Sequence, residues 1–216
     1  MPAIFTPPLF LVAILFCYCH TDSKYPYTIK DFRKPLQTQL TYIVSKGIVG
    51  LYDDSLRRMI TDKELEQLSR SEHPVLRATA FREMLERKSF DHFKVIMEHL
   101  DDTAIVSFDA GEWGVWRRTV SDDIIDLGRW KTNEAKNKTI DAVITKYNYL
   151  RSAYNILLSY KPQEKHYAYI KDMAFREQCS VYYNGEPYIS NRQLGLFGLA
   201  KFNKEDKELI KEMLLS

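Results

Sequence analysis

The chain has 216 residues, 45% of them hydrophobic and 28% charged, which suits one folded unit with a sizeable core and excludes a disordered or fibrous chain. Thirty-one basic residues balance 29 acidic ones, leaving a net charge of +2, too weak a field to point to nucleic acid as a partner. Eight glycines and eight prolines are few for a many-turned all-β fold, so the expectation is helical.

The first element is an unbroken run of apolar residues, Tyr and Cys from Leu9 to Cys19, followed at once by the polar His20, Thr21, Asp22, Ser23 and Lys24. It is shorter than the ~20 residues that cross a bilayer and fits the apolar region of an export signal. Residues 1–19 are therefore read as a signal or anchor segment, 20–30 as a linker and 31–216 as the folded domain. With the signal removed, one cysteine remains, Cys179. A single thiol builds no disulfide framework, and no His or Lys adjoins it in sequence to make it a nucleophile.

The helix after the linker starts near Pro35, a suitable first helical position. Leu36, Leu40, Ile43, Val44, Ile48 and Leu51 extend it as one apolar stripe. Thr61 to Glu64 read as a capping box that opens a short helix with Leu65 and Leu68 inward. Pro74 opens the next helix, carrying Val75, Ala78, Phe81 and Leu85. Phe93, Ile96, Met97 and Leu100 line the one after that. Such short connections make these helices antiparallel neighbours. The stretch 103–118 loses the helical period and reads as a loop with a small hairpin turned by Gly111 and Gly114. Helix resumes with Ser121 as its cap. From Asn133, the residues Ile140, Val143, Ile144, Tyr147, Leu150, Tyr154, Leu157 and Leu158 predict one long amphipathic helix. Another helix follows, with Tyr167, Ile170 and Ala174 inward. Residues 179–190 form a second irregular insertion, and two more helices close the chain.

Self-similarity organises these elements. Between Glu64 and Arg87, Leu65 and Leu68 end one helix, a polar turn follows, and Pro74, Val75, Arg77, Ala78, Ala80 and Leu85 mark a second. This pattern resembles a HEAT-type repeat. "FKVIMEHLDD" with "RRTVSDDIIDL" looks like a second unit, and "YIKDMAFRE" with "NRQLGLFGLAKF" like a third. The resemblance implies an all-α fold in which antiparallel helix pairs stack as a short α-solenoid. Each pair buries little alone, and stacking builds the core. The insertions 103–118 and 179–190 would then leave the same edge. The N-terminal segment in turn resembles a bacterial lipoprotein signal, which implies lipid attachment at Cys17 or Cys19 and tethering to a membrane.

The histidines and acids from His73 to Asp102 invite a metal or acid–base reading, and spacing argues against it. His92 and His99 are seven residues apart, ~10 Å along a helix axis at 1.5 Å per residue, beyond the reach of one ion with bonds of ~2 Å. They are read as part of a solvated face, with His73 at a helix entrance and Asp101 and Asp102 in a turn. No phosphate-loop, dinucleotide, nucleophile-elbow or paired-cysteine motif occurs, so no cofactor and no metal are expected. Gly195 in "GLFGLA" is read as a helix-packing position. Asn137 heads an N-K-T sequon, relevant only where N-glycosylation operates. The insertions hold the candidate binding residues: Trp113, Trp116 and Arg117 in the first, Tyr182, Tyr183 and Tyr188 in the second. Aromatics with Arg are what interface hot spots use, against the alternative that they cover the insertions' own small cores. The expectation is a non-catalytic protein- or peptide-binding or scaffold module of the cell envelope. The alternatives are a hydrolase working through carboxylates such as Asp109, Glu112 or Asp122, and a purely structural envelope protein.

Overall fold

The computed structural model describes residues 24–50, 54–109, 111–128, 132–176, 180–183, 186–202, 207–208 and 210–211. The signal segment 1–19, with Cys17 and Cys19, and the thiol Cys179 lie outside the described residues.

The chain enters as an extended strap, residues 24–28. Tyr27 makes a parallel bridge to Ser71, and its carbonyl accepts the Glu72 amide at 2.9 Å. A 3₁₀ turn, Ile29–Asp31, leads into helix α1, Lys34–Lys46, which has Pro35 in its first turn. The apolar stripe buries Leu36, Leu40 and Ile43, but the helix stops before Ile48, and Leu51 lies outside the described residues. Gly47 takes φ 64 and its amide closes on the carbonyls of Ile43 and Val44. A left-handed glycine past the last turn is a common helix stop. Ile48 then starts a two-residue strand, β1, Ile48–Val49.

Four helices follow: α2, Asp54–Met59, α3, Asp62–Leu68, α4, Pro74–Glu86, and α5, His92–Glu98. The Thr61 capping box is present, with Thr61 Oγ1 accepting the Glu64 amide at 3.2 Å and a Glu64 carboxylate oxygen accepting the Thr61 amide at 2.9 Å. Helix α4 is the central strut: ten of its thirteen residues are buried, and α1, α3 and α5 pack against it, as do the strand Ile105–Asp109 and the helix Val120–Leu127.

The first insertion is an antiparallel hairpin of β2, Ile105–Asp109, and β3, Val115–Thr119. β1 adds a parallel rung on the far side of β2, giving the order β1-β2-β3. Helix α6, Val120–Leu127, follows with Thr119, not Ser121, as its cap, because the Thr119 hydroxyl accepts the Asp122 amide at 3.1 Å.

The long helix expected from Asn133 is two helices, α7, Asn133–Thr145, and α8, Arg151–Ser159. At the break the Asn148 amide caps the Ile144 carbonyl at 3.2 Å, and Leu150, 1% exposed, plugs the core. The apolar period runs through the corner because both helices and the corner face one core. Helix α9, Tyr167–Phe175, leads to the second insertion, a hairpin of β4, Ser180–Tyr183, and β5, Glu186–Ser190. Helix α10, Asn191–Leu199, returns along α9.

The all-α expectation thus holds in coarser form: the protein is mostly helical, with ten α-helices among the described residues, and also carries a three-stranded sheet and a two-stranded one. No described helix is long and apolar enough to cross a membrane.

Gly195 and Gly198 set how closely α10 approaches α9. A Cβ on Gly195 would strike the Ala174 backbone, 2.6 Å from its Cα, and one on Gly198 would lie 2.7 Å from the Ile170 Cγ2 methyl. "GLFGLA" is therefore a close-packing seam, as the sequence reading has it.

Candidate functional site

The geometry of the first hairpin follows from strand alternation. Val106 and Phe108 point into the core, and the register pairs them with Arg118 and Trp116. Trp116 therefore sits on the core-facing side and is half-buried, while Arg117 and Val115 lie on the outer side and are exposed. Trp113 belongs to a 3₁₀ turn at the hairpin tip, shaped by Gly111 at φ 63 and Gly114 at φ 83; its side chain lies outside the described residues.

A buried charge cluster braces the hairpin to the body. Arg82 of α4 grips fully buried Asp123 of α6 with two bonds of 2.8 Å. Arg118 of β3 reaches the same carboxylate at 3.3 Å and Asp126 at 2.7 Å. Both guanidinium groups lie over the Phe108 ring, at 4.8 and 5.1 Å. Partial burial raises the Asp126 pKa, against the pull of Arg118. The Nε of Arg118 is buried and has no hydrogen-bond partner, so this arginine is held by its terminal nitrogens and by the ring beneath it.

Tyr182 and Tyr183 belong to β4 and Tyr188 to β5. Their side chains lie outside the described residues. The backbone of β4 comes alongside β3, so the two hairpins adjoin although about 60 residues separate them in sequence.

The three carboxylates of the hydrolase alternative do not converge. Asp109 turns the hairpin tip, accepting the Gly111 amide at 2.9 Å, and Glu112 is exposed on that tip. Asp122 sits at the hairpin's other end, about 13 Å away at ~3.3 Å per strand residue. Its carboxylate is already occupied by the Thr119 hydroxyl, the Arg151 and Ser152 amides and the Ser152 hydroxyl.

The histidines of α5 need correcting. Neither lies on a solvated face; both are half-buried. His99 packs its ring on Phe81 at 4.3 Å, and burial lowers its pKa. His92 donates from Nε2 to the Arg87 carbonyl at 3.1 Å in the tautomer that this contact requires, while its Nδ1 is buried without a partner. The aspartates that follow divide their roles. Asp101 is half-exposed and pairs with Lys24 at 2.7 Å. Asp102 is 2% exposed and forms a two-pronged pair with Arg77, itself 3% exposed, at 2.7 and 3.0 Å. Arg77 also donates to the Ser71 and Glu72 carbonyls, and the Tyr25 ring covers its guanidinium at 3.7 Å. Among the described residues no group of His, Cys, Asp and Glu is placed to hold a metal ion.

Sequence reasoning missed the His166–Asp141 pair, as it missed Arg77–Asp102 and Arg82–Asp123. His166 is fully buried and meets an Asp141 carboxylate oxygen at 2.7 Å. Its Nδ1 accepts the Gln163 amide at 3.1 Å, so the proton sits on Nε2 and both ring nitrogens are in use. That makes it a staple between α7 and the start of α9, not a base with a free nitrogen. Partial burial raises the pKa of Asp141, but the Lys165 ammonium and His166 outweigh it and hold the carboxyl below its usual range. The signal in sequence was slight: a His three residues after Gln163, in capping position.

A cleft of about 650 Å³ lies between α3, α5 and the strap. Buried Met84, Phe90 and Val95 form its floor, and Lys24, Tyr25 and His99 close one end. Comparison with protein-family models, curated proteins and solved structures finds no match to this chain. The class defined by fold and site is thus a mostly helical protein bearing two adjoining β-hairpins.

Proposed function

We propose that this chain is a non-catalytic protein- or peptide-binding module of the cell envelope, built on HEAT-like stacking of helix pairs. On this reading it is exported by its N-terminal segment and tethered through a lipid on Cys17 or Cys19. It captures its partner along the edge where the two hairpins meet. The observation that carries the reading is the approach of β4 to β3, which gathers both aromatic insertions on one side of the helical body. Support also comes from Arg82, Arg118 and Asp123, which hold the first hairpin on a rigid base, as a binding edge requires. Of the six candidate residues, Arg117 and Tyr183 are preferred for the test, because Trp116 is half-buried on the core-facing side of its hairpin.

The test is co-purification from native envelopes with tagged wild type and with the Arg117→Ala/Tyr183→Ala double variant. The reading expects a stoichiometric partner that the double variant loses, with the melting temperature changed by less than about 2 °C, as it must be if both side chains face the partner rather than the core, because surface changes stay near ±0.5 kcal/mol. Retention of the partner, or unfolding of the variant, overturns it. Mass spectrometry of the native N-terminus tests cleavage and lipidation separately.

A further inference from the structure

We propose that the outer face of α1, with the strap before it, is a membrane-docking surface that lies on an anionic phospholipid bilayer. The inference rests on the lipid-anchor reading above and deepens it by naming the face that the anchor brings down. Between Lys24 and Gly50 the chain carries five basic residues, Lys24, Lys30, Arg33, Lys34 and Lys46, against one acid, Asp31. That is a net +4 in a chain whose total is +2. Helix α1 itself has no acidic residue. Its buried stripe, Leu36, Leu40 and Ile43, fixes which side is turned out. Lys34, Thr38, Thr41, Tyr42, Ser45 and Lys46 are all exposed there. Tyr42 keeps 46% of its surface in water, with the Lys46 ammonium 5.4 Å from its ring. An exposed tyrosine between lysines is the makeup of an anchor at headgroup level.

The acids near this face already have partners. Glu64 of α3 is closed on Arg33 at 2.8 Å, and Asp101 on Lys24 at 2.7 Å. Asp54 of α2, the helix beside α1, lies 3.9 Å from Arg58. Asp31 accepts the Thr28 amide at 2.7 Å and offsets the neighbouring Lys30. Lys34 and Lys46 form no ion pair among the described residues. They stand at the two ends of α1, ~18 Å apart at 1.5 Å per residue, so the helix presents its outward charge along its whole length.

The strap fixes where the anchor pulls. Lys24 is held by Asp101, Tyr25 lies on Arg77 at 3.7 Å, and the Tyr27 carbonyl accepts the Glu72 amide. Four residues separate Cys19 from Lys24. Whatever path they take, the five steps reach at most ~18 Å, and the seven from Cys17 ~25 Å, at up to 3.6 Å each. A compact chain of this length is about 40 Å across. The anchor therefore keeps the strap in the membrane-facing half of the protein, and α1 is the next helix along the chain. A protein already held at a bilayer needs little further attraction to come to rest on one face. Lysines near an anionic leaflet supply it, and a basic patch adds a second signal to an acyl chain.

The experiment is lysine acetylation footprinting, read by mass spectrometry, on the full lipid-anchored protein purified from native envelopes and reconstituted into vesicles. One set of vesicles mixes phosphatidylglycerol with phosphatidylcholine, and the other is phosphatidylcholine alone. Lys34 and Lys46 are expected to react about threefold or more slowly on the anionic set, and high salt should remove the difference. Lys136 and Lys161, exposed in α7 and beyond α8, should react alike on both. Equal reactivity of Lys34 and Lys46 on the two sets, with lipid present in the N-terminal mass spectrum, overturns the docking face and leaves the anchor standing. Preferential protection of Lys136 or Lys161 overturns it by putting another face on the membrane. A mass spectrum without lipid overturns the anchor, and this face with it.

Discussion

Replacing Gly195 by Ala puts a single methyl against backbone rather than against a side chain that could turn away. The new Cβ would lie 2.6 Å from Ala174 Cα and 2.8 Å from the Met173 carbonyl carbon. Ordinary contact begins near 3.4 Å and the Ala174 amide nitrogen comes closer still, so α9 and α10 must part by about 1 Å along a seam that also holds Leu157, Ile170 and Met173, all 1% exposed or less. Overpacking of this kind costs about 1–3 kcal/mol or more, and the better helix propensity of Ala returns up to ~1. A backbone collision that cannot relax by rotamer change belongs at the high end, so the net loss is about 2 kcal/mol. For a chain of this size that lowers the melting temperature by roughly 4–8 °C. Gly198→Ala is the internal control. Its Cβ meets a methyl of Ile170 and two of Leu157, side-chain rather than backbone atoms, and the propensity gain offsets part of the clash, so it should cost clearly less than Gly195→Ala. Calorimetry and urea melts of both variants check the pair. If Gly195→Ala is as stable as wild type, or if Gly198→Ala is the more damaging, the backbone contact between α9 and α10 is not what closes this half of the protein.

Two further outcomes follow from buried charge. Asp102→Ala leaves the Arg77 guanidinium buried without its partner and should cost about 3–5 kcal/mol, while Arg77→Met with Asp102→Leu should cost clearly less than the sum of the single changes; additive urea melts would contradict the pairing. Asp141 has a native pKa held below its ordinary value of 3.8, so its contribution is present above that pH and lost as pH falls through the lower native value. Asp141→Asn should therefore flatten the stability profile below pH 4, and an unchanged acid limb in pH-dependent melts would remove the staple from the account.

Much of the first half of the chain is legible in its letters because local signals agree with packing. Thr61 and Glu64 cap where their spacing says, and Pro74 opens α4. Leu36, Leu40, Ile43, Leu65 and Leu68 are buried as their period predicts. Two boundaries were misread for different reasons. Gly47 ends α1 because a glycine at positive φ costs nothing, and an apolar stripe that continues into β1 conceals the stop. The corner at Asn148 is hidden because residues on both sides of it face one core, so periodicity alone cannot register a change of direction. The candidate site was legible only as composition. Aromatics and arginines mark the insertions, but which of them face outward depends on a register that pairs Trp116 with Phe108. Arg77 was noticed as a letter of the repeat; its partner, 25 residues on, is a fact of three dimensions.

The parallel rung formed by β1 has a consequence for the order of folding. Ile48 finds its partner at Ser107, so the three-stranded sheet closes a loop of some 59 residues that contains α2 to α5. The β2–β3 hairpin forms from neighbours and is fast, whereas the rung must wait until that loop has condensed, because distant pairings give no return until the entropy of closure is met. On the ribosome, α1 therefore emerges with Ile48 and Val49 unpaired and stays so for more than fifty residues of synthesis. Docking of these two residues ties the end of the first helix to the first hairpin, a link that cannot form before Ser107 and Phe108 have been made.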